Sequence, residues 1–162
     1  MPSKKIQMVG NFLVLSTFLS IAEIAIAGSA PRVELLRPDE VMSDCGCNFQ
    51  FAQSGRPSAS SDGTFLQWDT EDNASMRING KLVQLKASQV RWSGRPGALP
   101  AIGDEEVFRV HGGGIEVLVN CTATQVCAPD DDSCESTGYT AKIVVKTSAG
   151  TTALNATGAC GC

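Results

Sequence analysis

Ala74-Ser75-Met76-Arg77-Ile78, then Asn79-Gly80, then Lys81-Leu82-Val83-Gln84-Leu85 is the stretch that decides the fold. Asn-Gly between two alternating runs is the chemistry of a two-residue type I′ turn, whose central residues both need positive φ. A two-residue turn also fixes the register. Met76 then faces Val83, Ala74 faces Leu85 and Ile78 faces Lys81. One face of this hairpin is apolar throughout, with the Lys81 stem at its edge.

The same grammar repeats outward in both directions. Upstream, Cys47, Phe49 and Phe51 alternate with Asn48, Gln50 and Ala52, the pattern of a half-buried strand. A Ser/Gly/Pro loop from Gln53 to Gly63 leads into an apolar, aromatic strand at Thr64 to Trp68, and Asp69 to Asn73 form an acidic turn. Downstream, Ser88 to Trp92 reads as another strand, and Gly94 to Asp104 as a long loop. Val107 to Val110 and Ile115 to Cys121 flank His111-Gly112-Gly113-Gly114. A four-residue loop there pairs Val110 with Ile115 and Phe108 with Val117, and a three-residue loop sets Val110 against Glu116. Hydrophobic matching favours the first. Tyr139, Ala141, Ile143 and Val145 alternate with Thr140, Lys142, Val144 and Lys146 before a last Thr-rich strand. About eight or nine short strands, with almost no helical periodicity, imply an all-β antiparallel sandwich or small barrel.

The ends of the chain speak of compartment. Lys4 and Lys5 precede an apolar run from Ile6 to about Ile26, and Ala25-Ile26-Ala27 fits the small-x-small pattern of signal cleavage. Residues 1–27 are therefore expected to be a secretory signal peptide, with Gly28-Ser29-Ala30 offering a second cut. A transmembrane anchor is the alternative, weakened by Gly10, Asn11 and Glu23 inside the run. The absence of a cysteine after the cut gives no support for a lipid anchor. Residues 28–44 read as an N-terminal linker, in which Pro38-Asp39-Glu40 can start a short helical turn, with a helical turn packed on the domain as the alternative. Residues 45–162 read as a single all-β domain. Cleavage leaves about 135 residues, the size of one domain. It removes Lys4, Lys5 and Glu23, so 13 basic and 17 acidic residues become 11 and 16, for a net charge of −5. An acidic chain lacks the basic footprint of a nucleic-acid binder and is repelled by anionic lipid.

Seven cysteines carry the most chemistry. Cys45-Gly46-Cys47 and Cys160-Gly161-Cys162 place each pair on one face of a strand. If the first and last strands pair antiparallel, four sulfurs meet at one seam. In an exported small domain such cysteines are mainly disulfides. The expected pairing is 45–162 with 47–160, or the crossed alternative. Cys127 with Cys134 would pin a loop holding Asp130, Asp131 and Asp132. Cys121 is then the free-thiol candidate, a small buried hydrophobe, although Cys121–Cys127 and Cys121–Cys134 remain open. The alternative use of Cys45, Cys47, Cys160 and Cys162 is a thiol-based metal or redox site, with zinc or copper as the ion. Its C-x-C spacing differs from the usual C-x2-C zinc knuckle.

Other constellations stay incomplete. His111-Gly112-Gly113-Gly114 resembles the oxyanion-hole segment of lipases and esterases, but the G-x-S-x-G elbow those enzymes need does not occur in the chain. His111 is the only histidine, so any Ser-His-Asp or Cys-His mechanism must use it, and Cys121 lies too far along its strand to reach it. The consecutive acids at Asp130 to Asp132 do not follow a calcium-loop pattern. Sequons at Asn73, Asn120 and Asn155 matter only in a eukaryotic secretory pathway. The expectation is a secreted or periplasmic, disulfide-stapled β-domain. It would act as a non-enzymatic binding or structural module for a protein or small-molecule ligand. No cofactor, nucleic-acid partner or stable membrane anchor after signal cleavage is expected.

Overall fold

A computed structural model describes residues 29–42, 45–52, 63–95, 99–128 and 134–162. The signal-peptide reading of residues 1–27 and the acidic loop at 130–132 lie outside the described residues. Nine strands follow one another: β1 (Val33–Glu34), β2 (Gly46–Phe51), β3 (Thr64–Asp69), β4 (Asn73–Ile78), β5 (Lys81–Trp92), β6 (Glu105–Gly112), β7 (Ile115–Gln125), β8 (Ser136–Thr147) and β9 (Gly150–Gly161). Among the described residues the only helical element is a 3-10 turn at Pro38–Glu40. From β2 onward each strand pairs antiparallel with the next, and β9 returns to pair with β2. The result is a closed eight-stranded barrel, with β1 as an extra strand against β4. Closure removes the free sheet edges that a sandwich would leave.

The deciding hairpin has the register its turn dictates. Met76 faces Val83, Ala74 faces Leu85 and Ile78 faces Lys81. Asn79 and Gly80 sit at φ 51° and 79°, both in the left-handed region a type I′ turn requires. β5 does not stop at Leu85. It runs through Trp92 as one strand, and a bulge between Gln89 and Arg91 re-aims its end onto β6. Nothing between residues 85 and 88 is a turn former, so Ser88 to Trp92 are the same strand rather than a further one.

The β6–β7 turn corrects the four-residue reading. Val110 faces Val117 and Gly112 faces Ile115, so the turn is only Gly113-Gly114. These glycines adopt φ 56° and 77°, a second type I′ geometry. The difference is a slip of two residues, which returns every side chain to the same face. Hydrophobic matching separates odd from even slips. It cannot separate one even register from another, and here the turn chemistry decides.

Alternate residues of all eight strands fill the barrel. Phe49, Leu66, Met76, Val110, Val117, Val119, Ile143 and Val145 are completely buried. Trp68 bridges Phe49 and Phe108 at ring-centroid separations of 5.3 and 5.1 Å. Small residues on β7, β8 and β9 (Ala123, Ala141, Ala156) share the buried interior with these rings. Eight strands enclose a space that side chains can fill, and here they fill it. Gly158 lies opposite Phe49 in the ladder, and a Cβ there would run into the Phe49 ring.

Within the segment 28–44, residues 29–42 pack on the barrel, with the Pro38–Glu40 turn docked as the alternative reading had it. Pro31 is fully buried, and its carbonyl accepts a hydrogen bond from Thr152 Oγ1 at 2.6 Å. Arg32 and Asn79 exchange backbone and side-chain bonds of 2.9 Å. β1 takes the edge of β4 beyond Met76, where β3 has left it, and Leu36 N–H donates to the Thr64 carbonyl at 2.8 Å. The 3-10 turn is half capped by Glu40 Oε2, which accepts from Arg37 N–H at 2.8 Å. Glu40 also pairs with Arg77 at 2.9 Å. Gln67 completes the strap: its amide oxygen accepts from Met42 N–H, and its amide nitrogen donates to Glu40 O and Ser75 Oγ.

Candidate functional site: the cysteine seam

β2 and β9 close the barrel with Cys47 opposite Cys160 and Gly46 opposite Gly161. Cys47 bonds to Cys160, and Cys45 to Cys162, with Cα atoms 4.0 and 4.2 Å apart. These are close to the spacing of residues directly opposite in a non-hydrogen-bonded antiparallel pair. The two disulfides stand as adjacent rungs on one face. The inner rung belongs to the core, where Cys47 is 8% exposed and Cys160 packs against the same cluster. The outer rung sits at the rim, with Cys45 half-buried and Cys162 exposed.

The glycine between each pair of cysteines has its own reason. Gly46 and Gly161 both adopt φ 155°. A Cβ on Gly46 would strike the Trp68 carbonyl oxygen, and one on Gly161 the Glu135 carbonyl oxygen. The neighbouring strands approach the seam so closely that only glycine fits between the cysteines.

Cys127 bonds to Cys134, closing the loop between β7 and β8 at the same end of the barrel. Cys121 is free and 2% exposed, pointing inward. Burial, reinforced by the Glu106 charge, pushes its thiol up to about 12. Glu106 is opposite Cys121 in the ladder and is itself buried. It accepts from Tyr139 OH at 2.6 Å and from Gln89 Nε2 at 2.8 Å. Burial, then the Glu106 contact, raises the Tyr139 phenol far above its ordinary value. Sequence reading missed this trio. The available signal was parity, since Glu106 shares the inward alternation of Phe108 and Val110.

His111 is exposed on the outer face, between Lys86 and Glu116 in the ladder. Cys121 points inward across from Glu106, so the two are not brought together. Asn120 and Asn155 are exposed on the same outer face, either side of Lys142. They line a shallow depression of about 430 Å³ together with Thr122, Thr140 and Thr157. Asn73 is engaged by Asp69 and Lys86. Among the described residues, no three His, Cys, Asp or Glu side chains are grouped to hold a metal ion. The four sulfurs of the zinc or copper alternative are joined in pairs, which leaves no thiolates to ligate. No helix of the described residues is long and apolar enough to cross a membrane. Comparison with protein-family models, curated proteins and solved structures finds no match for this chain.

Proposed function

We propose that this disulfide-stabilised barrel is an exported, non-enzymatic binding or structural module. The observation that carries the reading is the state of the cysteines. Six are spent in three disulfides, and the seventh is buried with its thiol held protonated. Three disulfides suit an oxidising, extracellular or periplasmic setting. The filled interior directs recognition to the outside of the barrel. That outside carries mid-strand charges at Lys86, Arg109 and Lys142, which favour water over lipid. The test is to express the full precursor in an export-competent host. The reading expects protein starting near Gly28, oxidised, and free of stoichiometric zinc or copper by elemental analysis. Intact Met1 in the membrane fraction, or metal at one ion per chain, would contradict it. Replacing His111 with Ala should leave both fold and solubility unchanged.

A further inference from the structure

We propose that the two rungs of the seam differ in kind: Cys45–Cys162 is a redox-accessible site for a dithiol, and Cys47–Cys160 is the lock that keeps the barrel closed. Thiol–disulfide exchange needs a thiolate to reach a sulfur along the S–S axis, so access decides which rung reacts. Cys162 is exposed at the rim and Cys45 half-buried. Cys47 is 8% exposed and forms part of the core that includes Phe49 and Trp68, with Cys160, half-buried like Cys45, packed against it, so the contrast lies between Cys47 and Cys162.

A thiolate of the dithiol attacks the sulfur of the exposed residue Cys162, breaking the bond to Cys45 and forming a mixed disulfide. The Cys45 thiolate leaves and takes a proton. The second thiol of the reagent, deprotonated, then displaces Cys162, which is also protonated. Two electrons pass from the dithiol, now a disulfide, to the outer rung, now two thiols. The inner rung still joins β2 to β9, so the barrel loop remains covalently closed.

The probe is dithiothreitol, titrated onto the folded, oxidised full chain and followed by alkylation and peptide mass mapping. We expect Cys45 and Cys162 to be alkylated at a reagent concentration at least tenfold below that needed for Cys47 and Cys160. The near-ultraviolet circular dichroism of Trp68 and its neighbours should persist at that stage. A Cys45→Ser/Cys162→Ser variant should match the partly reduced protein in its spectrum and in the resistance of its inner rung. Simultaneous reduction of both rungs, or inner before outer, would overturn the proposal. So would loss of the aromatic signal once the outer rung alone is open.

Discussion

β3 and β8 are strands of one barrel, yet they bury their residues differently. β8 alternates: Tyr139, Ala141, Ile143 and Val145 are buried, while Thr140, Lys142 and Lys146 are exposed. β3 does not alternate, and Thr64 through Trp68 are all buried. Two features combine: a bulge in the β2–β3 ladder, where Phe49 and Gln50 meet Leu66 and Thr64, and the strap. Residues 29–42 cover the outer face of β3 and β4, so that wall has no solvent side. A strand's sequence pattern reports its two environments, and covering its outer face erases the alternation. Polar residues survive under the strap only with partners. Gln67 makes three hydrogen bonds, and Arg77 bonds to Glu40 Oε1 and to the Gly80 carbonyl.

The largest effect should come from the seam that both walls share. Replacing all four triplet cysteines with Ser releases a closure of 113 residues or more, worth about 4–5 kcal/mol in the chain-entropy model. Removing only Cys45 and Cys162 should cost far less in a urea titration, because the loop stays closed. If the double and quadruple variants unfold at equal midpoints, the rungs do not share one loop.

The contrast between covered and open walls is next. Leu36 is the strap residue turned onto the wall, 7% exposed, so Leu36→Ala should cost about 2–4 kcal/mol in the same titration. Leu35→Ala, at a residue 48% exposed, should fall within about 0.5 kcal/mol of the parent. Arg77 and Lys142 sharpen the comparison, since both are basic residues on outward positions. Arg77→Ala removes a buried side chain that bonds Glu40 Oε1 and the Gly80 carbonyl, and should lower the urea midpoint clearly. Lys142→Ala on the solvated wall should cost about 0.5 kcal/mol or less. Equal effects would mean that the strap does not hold the first wall.

Turn chemistry gives a smaller signal. Gly80→Val forces a β-branched residue to φ 79° and should cost about 1–3 kcal/mol, whereas Lys81→Val should be nearly neutral. Similar urea midpoints for the two would contradict the type I′ register.

The smallest effect near neutral pH is the titration of the interior. Cys121 and Tyr139 have folded pKa values raised above their ordinary ones. Raised values mean that the folded state holds protons the unfolded chain releases. Stability should therefore be unaffected by these groups at pH 7 and fall once pH passes about 9, the ordinary thiol value. Cys121→Ala should flatten the onset of that fall. An onset unchanged in the variant would assign the loss to other groups.

The open wall was legible in the sequence, and so was the Asn79-Gly80 hairpin. Their residues obey local rules, turn preference and alternation, that depend on nothing distant. Barrel against sandwich was not legible, because both produce the same alternation and only the β2–β9 pairing distinguishes them. The strap was hidden for a related reason. Pro31, Leu36 and Glu40 gain their meaning from Thr152, Thr64 and Arg77, far along the chain. The cysteine seam could be read as a juxtaposition, from the spacing of the triplets. Its choice of parallel over crossed rungs required the register of β2 on β9.

That register is tested most directly by a disulfide map of the native, unreduced protein. Digestion without reductant should leave the Cys45–Cys47 peptide attached to the Cys160–Cys162 peptide, and further cleavage should resolve Cys45 with Cys162 and Cys47 with Cys160. Cys127 should be joined to Cys134, and denatured protein should titrate one thiol per chain, on Cys121. Crossed rungs would break the β2–β9 register. Five free thiols would remove the seam altogether.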